Sequence, residues 1–234
     1  SDTIIPEGYV DVKMKDKNGI EKPVKILHPS YPGSIYHMTK TQDALFFQFY
    51  AKNWGLKITD LHQGIIWGLH TEETILHPDL INRLDQDSDY GTVLNRFLLQ
   101  SACDYPLTIY GSGKQTRAFI HIQNSVQCIN LAVENPPKKG ENVKIFNQMT
   151  ETIQLNTLVN IIKKLYPNTK VQKIKNPRKE LYENSLEVEN KQFLDLGLEP
   201  IYVKNKGYLE EIYNVIKEYK DNFIDSNMLP CSFW

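Results

Sequence analysis

Tyr36 and Lys40 stand four residues apart at the head of a long helix-forming run that ends near Trp54, so on a helix both project from one face. A phenol is a poor base at neutral pH because its reference pKa is about 10. An ammonium held beside it favours the phenolate and lowers that value. Such a pair suits the removal of a proton from an alcohol while a cofactor takes the hydride. The same spacing also arises on ordinary amphipathic helices, so the two residues alone do not decide the matter. Their setting adds weight. Pro32, Gly33 and Ser34 supply a turn and a cap before the helix, and Lys57–His62 reads as a strand after it.

The elements that must position this pair follow in chain order. Residues 9–27 read as a β-hairpin turning at Lys17, Asn18 and Gly19. In the Tyr36 helix Ala44, Phe47, Ala51 and Trp54 keep helical spacing, while Phe46, Phe49 and Tyr50 make it apolar on a further face. That suits a helix buried in a sheet layer or in a dimer contact, and Gly55 stops it. Gln63–Gly68 reads as a strand end opening into a loop, the place where ligands sit in open α/β sheets. The stretch from His70 to Ser88 reads as a long polar loop, with acids at Glu72, Glu73, Asp85, Asp87 and Asp89, either a binding loop or a solvated one.

Beyond it the pattern predicts a helix at 92–103, a strand at 107–110, a polar loop at 111–117 and a strand at 119–122. A helix at 125–133, a strand at 143–146, a helix at 155–165, a strand near 171–174 and helices near 189–196 and 207–219 complete the order. Alternation of this kind means an α/β layer architecture. Gly111 and Gly113 lie between two strands, and no glycine-rich turn joins an early strand to a helix. The chain therefore reads as the carboxyl-terminal part of a larger enzyme, entered part-way through.

Composition narrows the classes. The 234 residues are 41% hydrophobic and 24% charged with net charge −1, an ordinary globular balance with no nucleic-acid or anionic-membrane footprint. No apolar run is long enough to span a membrane. Three widely spaced cysteines, Cys103, Cys128 and Cys231, argue against a disulfide framework or a metal site and fit a reducing compartment. The expected place is the cytoplasm, with the chloroplast stroma as the alternative.

Tyr36-His-Met-Thr-Lys40 with Gln63-Gly-Ile-Ile-Trp-Gly68 resembles the extended short-chain dehydrogenase/reductase superfamily of nucleotide-sugar epimerases and dehydratases. Trp54–Gly64, Thr71–Thr74, Asn82–Asp85, Gly91–Phe97, Pro106–Gly111, Gln115–Arg117, Phe146–Gln148, Asn176–Arg178 and Leu196–Pro200 extend the likeness. Together they resemble the UDP-sulfoquinovose synthase family across essentially the whole chain. The family's first half, with its glycine motif, has no counterpart here.

The resemblance implies the carboxyl-terminal part of a doubly wound Rossmann-type sheet plus a smaller α/β substrate-binding domain. Residues 1–68 would end the Rossmann-type domain, with the hairpin as an insertion. Residues 69–234 would be mainly the UDP-sugar domain, with segments of about 107–148 returning to complete the sheet. Family members use NAD to oxidise C4 of UDP-glucose, eliminate water across C5 and C6, add sulfite at C6 and return the hydride. Tyr36 would be the base and Lys40 would hold the nicotinamide ribose. His37 matches the family's histidine and would contact the hexose. Gln63 and Ile66 would face sugar and nicotinamide, and Thr92 and Asn95 would bind substrate. Leu107 and Thr108 would line the uridine pocket, and Arg117 and Arg178 would grip the diphosphate. One departure is Asn184, where the plant-type pattern has histidine. No metal is implied. The implied partners are the amino-terminal half of the same enzyme and a second copy in a homodimer, with neither nucleic acid nor membrane. A 4-epimerase or 4,6-dehydratase would share Tyr36, Lys40, Arg117 and Arg178 without using sulfite, and a non-catalytic sugar-nucleotide-binding module stays open as a third reading.

Overall fold

The computed structural model describes residues 4–28, 30–80, 91–176, 186–222 and 229. It opens with the hairpin β1 (Tyr9–Lys15) and β2 (Glu21–Leu27), paired antiparallel with Val12 opposite Val24. The Tyr9 hydroxyl anchors it, donating to the Val143 carbonyl at 2.8 Å. Helix α1 (Ile35–Trp54) starts where Ser34 Oγ accepts from the His37 N–H at 3.2 Å. It ends at Gly55, whose φ of 65° gives the left-handed turn that lets its N–H reach Ala51 O.

The sheet strands are β3 (Thr59–Gln63), β4 (Ile65–Trp67), β5 (Leu107–Tyr110), β6 (Thr116–His121), β7 (Lys144–Gln148), β8 (Glu151–Gln154) and β9 (Val171–Ile174). Pairing is parallel for β3 with β7, β4 with β6 and β5 with β9, and antiparallel for β6 with β8. Helices α2 (Val93–Ala102), α3 (Ile122–Glu134), α4 (Leu155–Leu165), α5 (Lys191–Asp195) and α6 (Tyr208–Glu218) pack around these strands. The larger core joins Leu94, Phe97 and Leu98 of α2 to Leu158 and Ile162 of α4, Ile212 and Ile216 of α6, and Phe119 of β6. A second cluster sets Phe146 against Phe193, ring centroids 4.6 Å apart, with Ile120 and Cys128. Burial pushes the Cys128 thiol up to about 12, so it packs as a small neutral hydrophobe.

Four local expectations change. The 63–68 stretch is not a strand end running into a loop: chain direction continues, and the ladder partner switches from β7 to β6 at Gly64. A Cβ on Gly64 would lie 3.1 Å from the Ala118 carbonyl oxygen, so glycine is what admits this close passage. Arg117 stands in β6 opposite Ile153 rather than in the preceding loop. Helix α3 starts at Ile122, earlier than its apolar pattern suggests, because the His121 ring accepts from the Gln123 N–H at 3.2 Å and caps it. Strand β8 was not anticipated, since four residues between a strand and a helix carry little periodic signal. The two short 3-10 turns Thr74–Leu76 and Pro78–Leu80 begin the stretch expected as a loop, and the acids Asp85, Asp87 and Asp89 lie outside the described residues.

Candidate functional site

Tyr36 and Lys40 share one face of α1, with Lys40 Nζ 5.8 Å from the Tyr36 ring centroid. Tyr36 is 56% exposed, and the Lys40 ammonium meets only Asp43 at 3.6 Å among its described ion-pair partners. The His37 ring lies edge-on to Tyr36, centroids 5.7 Å apart. The phenol, ammonium and imidazole thus stand together on open surface, where a ligand can reach all three. Further along α1, Phe46 stacks on Tyr50 at 6.2 Å and Tyr50 on Trp54 at 5.0 Å, a ladder of aromatic rings at successive turns. Phe46, Phe49 and Trp54 are each more than half exposed.

Gln63 ends β3, directly opposite Gln148 in the parallel ladder. Its Nε2 donates to Gln148 Oε1 at 3.0 Å and to Ser125 Oγ at 3.1 Å. Ile66 sits in the middle of β4, opposite Ile120, packed against the second core cluster. Gln63 lies at the carboxyl end of its parallel strand, where ligands bind in such sheets.

Thr92 caps α2 without using its side chain, and Asn95 follows in the first turn. Thr92 Oγ1 and Asn95 Oδ1 are both buried without a hydrogen-bond partner among the described residues. Unpaired buried polar atoms are costly, on the order of 1–3 kcal/mol each. They stand at a helix N-terminus, where backbone N–H groups and the dipole favour negative charge. A hydroxyl donates when its proton turns, and an asparagine amide donates when it turns over.

Leu107 and Thr108 are sealed, at 0% and 1% exposure. Gln100 holds Thr108 at two points, accepting from its N–H at 3.0 Å and donating to its Oγ1 at 2.8 Å. Arg96 lies over the Tyr110 ring at 4.3 Å and donates to its hydroxyl at 3.1 Å. The helix bearing Thr92 and Asn95 is thereby bolted to β5 by buried polar bonds. The Arg117 guanidinium donates to Thr116 O at 3.0 Å. Arg178 and Asn184 lie outside the described residues.

Sequence reasoning assigned no role to Gln100, Ser125, Gln148 or His121. A usable signal existed: Asn147 and Gln148 are consecutive amides following the apolar Ile145 and Phe146 in one strand, and buried amides are kept where they have partners. His121 packs edge-on to Trp67 at 4.7 Å and to Tyr208 at 4.9 Å, while nearby His70 Nε2 pairs with Glu211 at 2.7 Å. Burial, reinforced by the charge of His70 and opposed by Glu211, holds the His121 imidazole down at about 4. The unfolded chain then binds this proton between pH 6.5 and about 4 while the native one does not. The contribution of His121 to stability is therefore complete above pH 6.5 and is lost as pH drops towards 4, by at most about 3 kcal/mol. Urea titrations across that range should show this slope in the wild type and a flatter one in His121→Asn; equal slopes would refute it.

The model of the NAD dependent epimerase/dehydratase family matches residues 15–147. The chloroplastic UDP-sulfoquinovose synthase of Spinacia oleracea is 35% identical over 234 residues, covering 98% of this chain and 47% of that protein. The UDP-sulfoquinovose synthase of Sulfolobus acidocaldarius is 36% identical over 219 residues, covering 92% of this chain and 53% of that protein. The chain thus spans about half the length of the curated relatives it matches. Among solved structures, the UDP-glucuronic acid 4-epimerase of Bacillus cereus, in complex with UDP-glucuronic acid and NAD, superposes with a TM-score of 0.62 at 20% identity. That match covers 92% of this chain and 60% of that one and shows a shared fold.

Proposed function

From the chain's membership of the NAD dependent epimerase/dehydratase family, we propose that it forms the substrate-binding and proton-transfer part of an enzyme converting UDP-glucose and sulfite to UDP-sulfoquinovose. The observation that carries this reading is likeness to two UDP-sulfoquinovose synthases along nearly the full chain, with Tyr36 and Lys40 presented on one open helix face.

In this reading Tyr36 takes the proton of the sugar C4 hydroxyl, and Lys40 holds the ribose hydroxyls of the cofactor. NAD, when bound, supplies the hydride acceptor and later the donor. The residues fit it: a phenol, an ammonium and the exposed Gln63 are groups able to bond a ribose and an amide. His37, beside Tyr36, contacts the hexose. The Thr92 hydroxyl and, with its amide turned over, the Asn95 Nδ2 donate to diphosphate oxygens, which gives the orphaned Thr92 oxygen a partner. Arg117 and Arg178 neutralise the same group. Leu107 and Thr108 form the floor beneath the uridine rather than contacts to it, since their side chains are closed off.

The same reading divides the chain near residue 68, with catalytic helix and hairpin before it and the nucleotide-sugar part after it. A dinucleotide-binding half lies against β3, whose outer edge has no strand partner among the described residues. A second copy covers the aromatic ladder of α1, since an exposed apolar surface of that extent marks an interface. Light scattering on the 234-residue chain alone should then show self-association. A monodisperse monomer that binds NAD with micromolar affinity would sink this arrangement.

The reading is tested by supplying UDP-glucose and NAD, with and without sulfite, to the chain assembled with its dinucleotide-binding half. A sulfonated nucleotide sugar formed only with sulfite supports it, and an epimer or a 4-keto-6-deoxy sugar formed without sulfite assigns the chain to a 4-epimerase or 4,6-dehydratase. Asn95→Ala should weaken UDP binding by about 1–2 kcal/mol in calorimetry, as expected for one lost bond to a charged group. Unchanged affinity would remove Asn95 from the diphosphate site.

A further inference from the structure

We infer that Gln148 and Ser125 are positioning residues that lock the Gln63 amide with its carbonyl oxygen turned outward, so that Gln63 receives a hexose hydroxyl as hydrogen-bond donor. The inference rests on the proposed function for the identity of the ligand, and on hydrogen-bond polarity alone for the lock.

The polarity is fixed from one end. The Ser125 backbone carbonyl can only accept, and a Gln148 terminal atom lies 2.8 Å from it, so that atom is Nε2. The other terminal atom of Gln148, facing Gln63 at 3.0 Å, is then Oε1 and accepts. Gln63 must meet it with Nε2, whose second proton goes to Ser125 Oγ at 3.1 Å. Both Gln63 amide protons are thereby used, and its Oε1 is left with no partner among the described residues on an exposed side chain. Turning Gln148 over would set two acceptors against each other at Ser125 O, and turning Gln63 over would do the same at Gln148 Oε1. Gln148 is 1% exposed and Ser125 4%, so water cannot relieve either clash.

The fold builds this relay from three elements. The β3–β7 register sets Gln63 and Gln148 side by side on one sheet face, and α3 brings Ser125 over both. The Gly64 N–H donates to the Gln148 carbonyl at 2.9 Å, which holds the two strand ends level. An outward carbonyl at a strand's carboxyl end accepts from a hydroxyl. It repels a keto oxygen, a fluorine or a carboxylate placed there, so the relay also selects the ligand.

The test uses the protein as it purifies, with Gln148→Met as a near-isosteric variant. In the ligand-free protein, NMR should find the Gln63 side-chain amide protons exchanging with water about tenfold faster in Gln148→Met and in Ser125→Ala than in the wild type. In calorimetry Gln148→Met should lose about tenfold in UDP-glucose affinity while UDP affinity holds. Equal losses for UDP and UDP-glucose, no loss for either, or unaltered exchange of the Gln63 protons would each overturn the inference. If the wild type binds neither nucleotide the proposed function falls, and the exchange rates still decide the lock.

Discussion

Replacing Tyr36 by Phe should lower the rate of cofactor reduction by UDP-glucose by about 10² or more in the assembled enzyme, with UDP-glucose binding little changed. The change removes a proton acceptor and keeps the ring. Tyr36 is 56% exposed and sits on the first turn of α1, so no core packing is disturbed. Its described ring contacts are the edge of the His37 ring and the Lys40 ammonium, both of which a phenyl group preserves. The predicted signature is thus a fall in kcat with KM held, the mark of an interaction made in the transition state only. Lys40→Ala should act differently, weakening cofactor binding as well as rate, because an ammonium that holds a ribose contributes to both. Stopped-flow measurement of reduced cofactor separates the two. A Tyr36→Phe enzyme turning over at close to the wild-type rate would show that the helix face carries the pair by accident of spacing.

What the sequence disclosed and what it withheld follow from how far each interaction reaches along the chain. Helix α1 was legible at both ends because its caps are local: Ser34 bonds three residues on, and Gly55 adopts the left-handed turn that glycine favours. The hairpin was legible for the same reason, with Gly19 at its turn and alternation in both strands. The switch of partner at Gly64 was not, since it depends on how closely Ala118 approaches, 54 residues away in sequence if counted from 64 to 118. The α3 start was missed because histidine is an uncommon cap and its ring served where a hydroxyl or carboxylate usually does. The site shows the same division. Tyr36 and Lys40 are one turn apart and were read directly. The amides that hold Gln63 and Thr108 act over 85 and 8 residues, and a glutamine in the sequence gives no sign of which carbonyl it will find. Burial of Leu107 and Thr108 likewise comes from α2 packing over β5, a contact the sequence does not announce.

Phe119→Ala should remove about 3–5 kcal/mol of stability, a large share of the roughly 5–15 kcal/mol that holds a domain folded. Phe119 has no exposed surface and stands in β6, the strand shared by β4 on one side and β8 on the other. It faces Ile65 across the parallel ladder and Glu151 across the antiparallel one, and its carbonyl accepts from both the Thr150 N–H and the Thr150 hydroxyl. Truncation leaves a cavity that this frame cannot close, because two ladders fix the strand's position. For a chain of this length a loss of that size corresponds to a fall in Tm of about 6–20 °C. The contrast is Ile129 on α3, where 46% exposure means Ile129→Ala removes little buried area and should cost below about 1 kcal/mol. Denaturant titration of the two variants side by side checks the pair. A loss under about 1 kcal/mol at Phe119 would show that β6 is not the rigid centre of the β4–β6–β8 sheet, and with it the placing of the His121 cap of α3 at the end of β6 would have to be rebuilt.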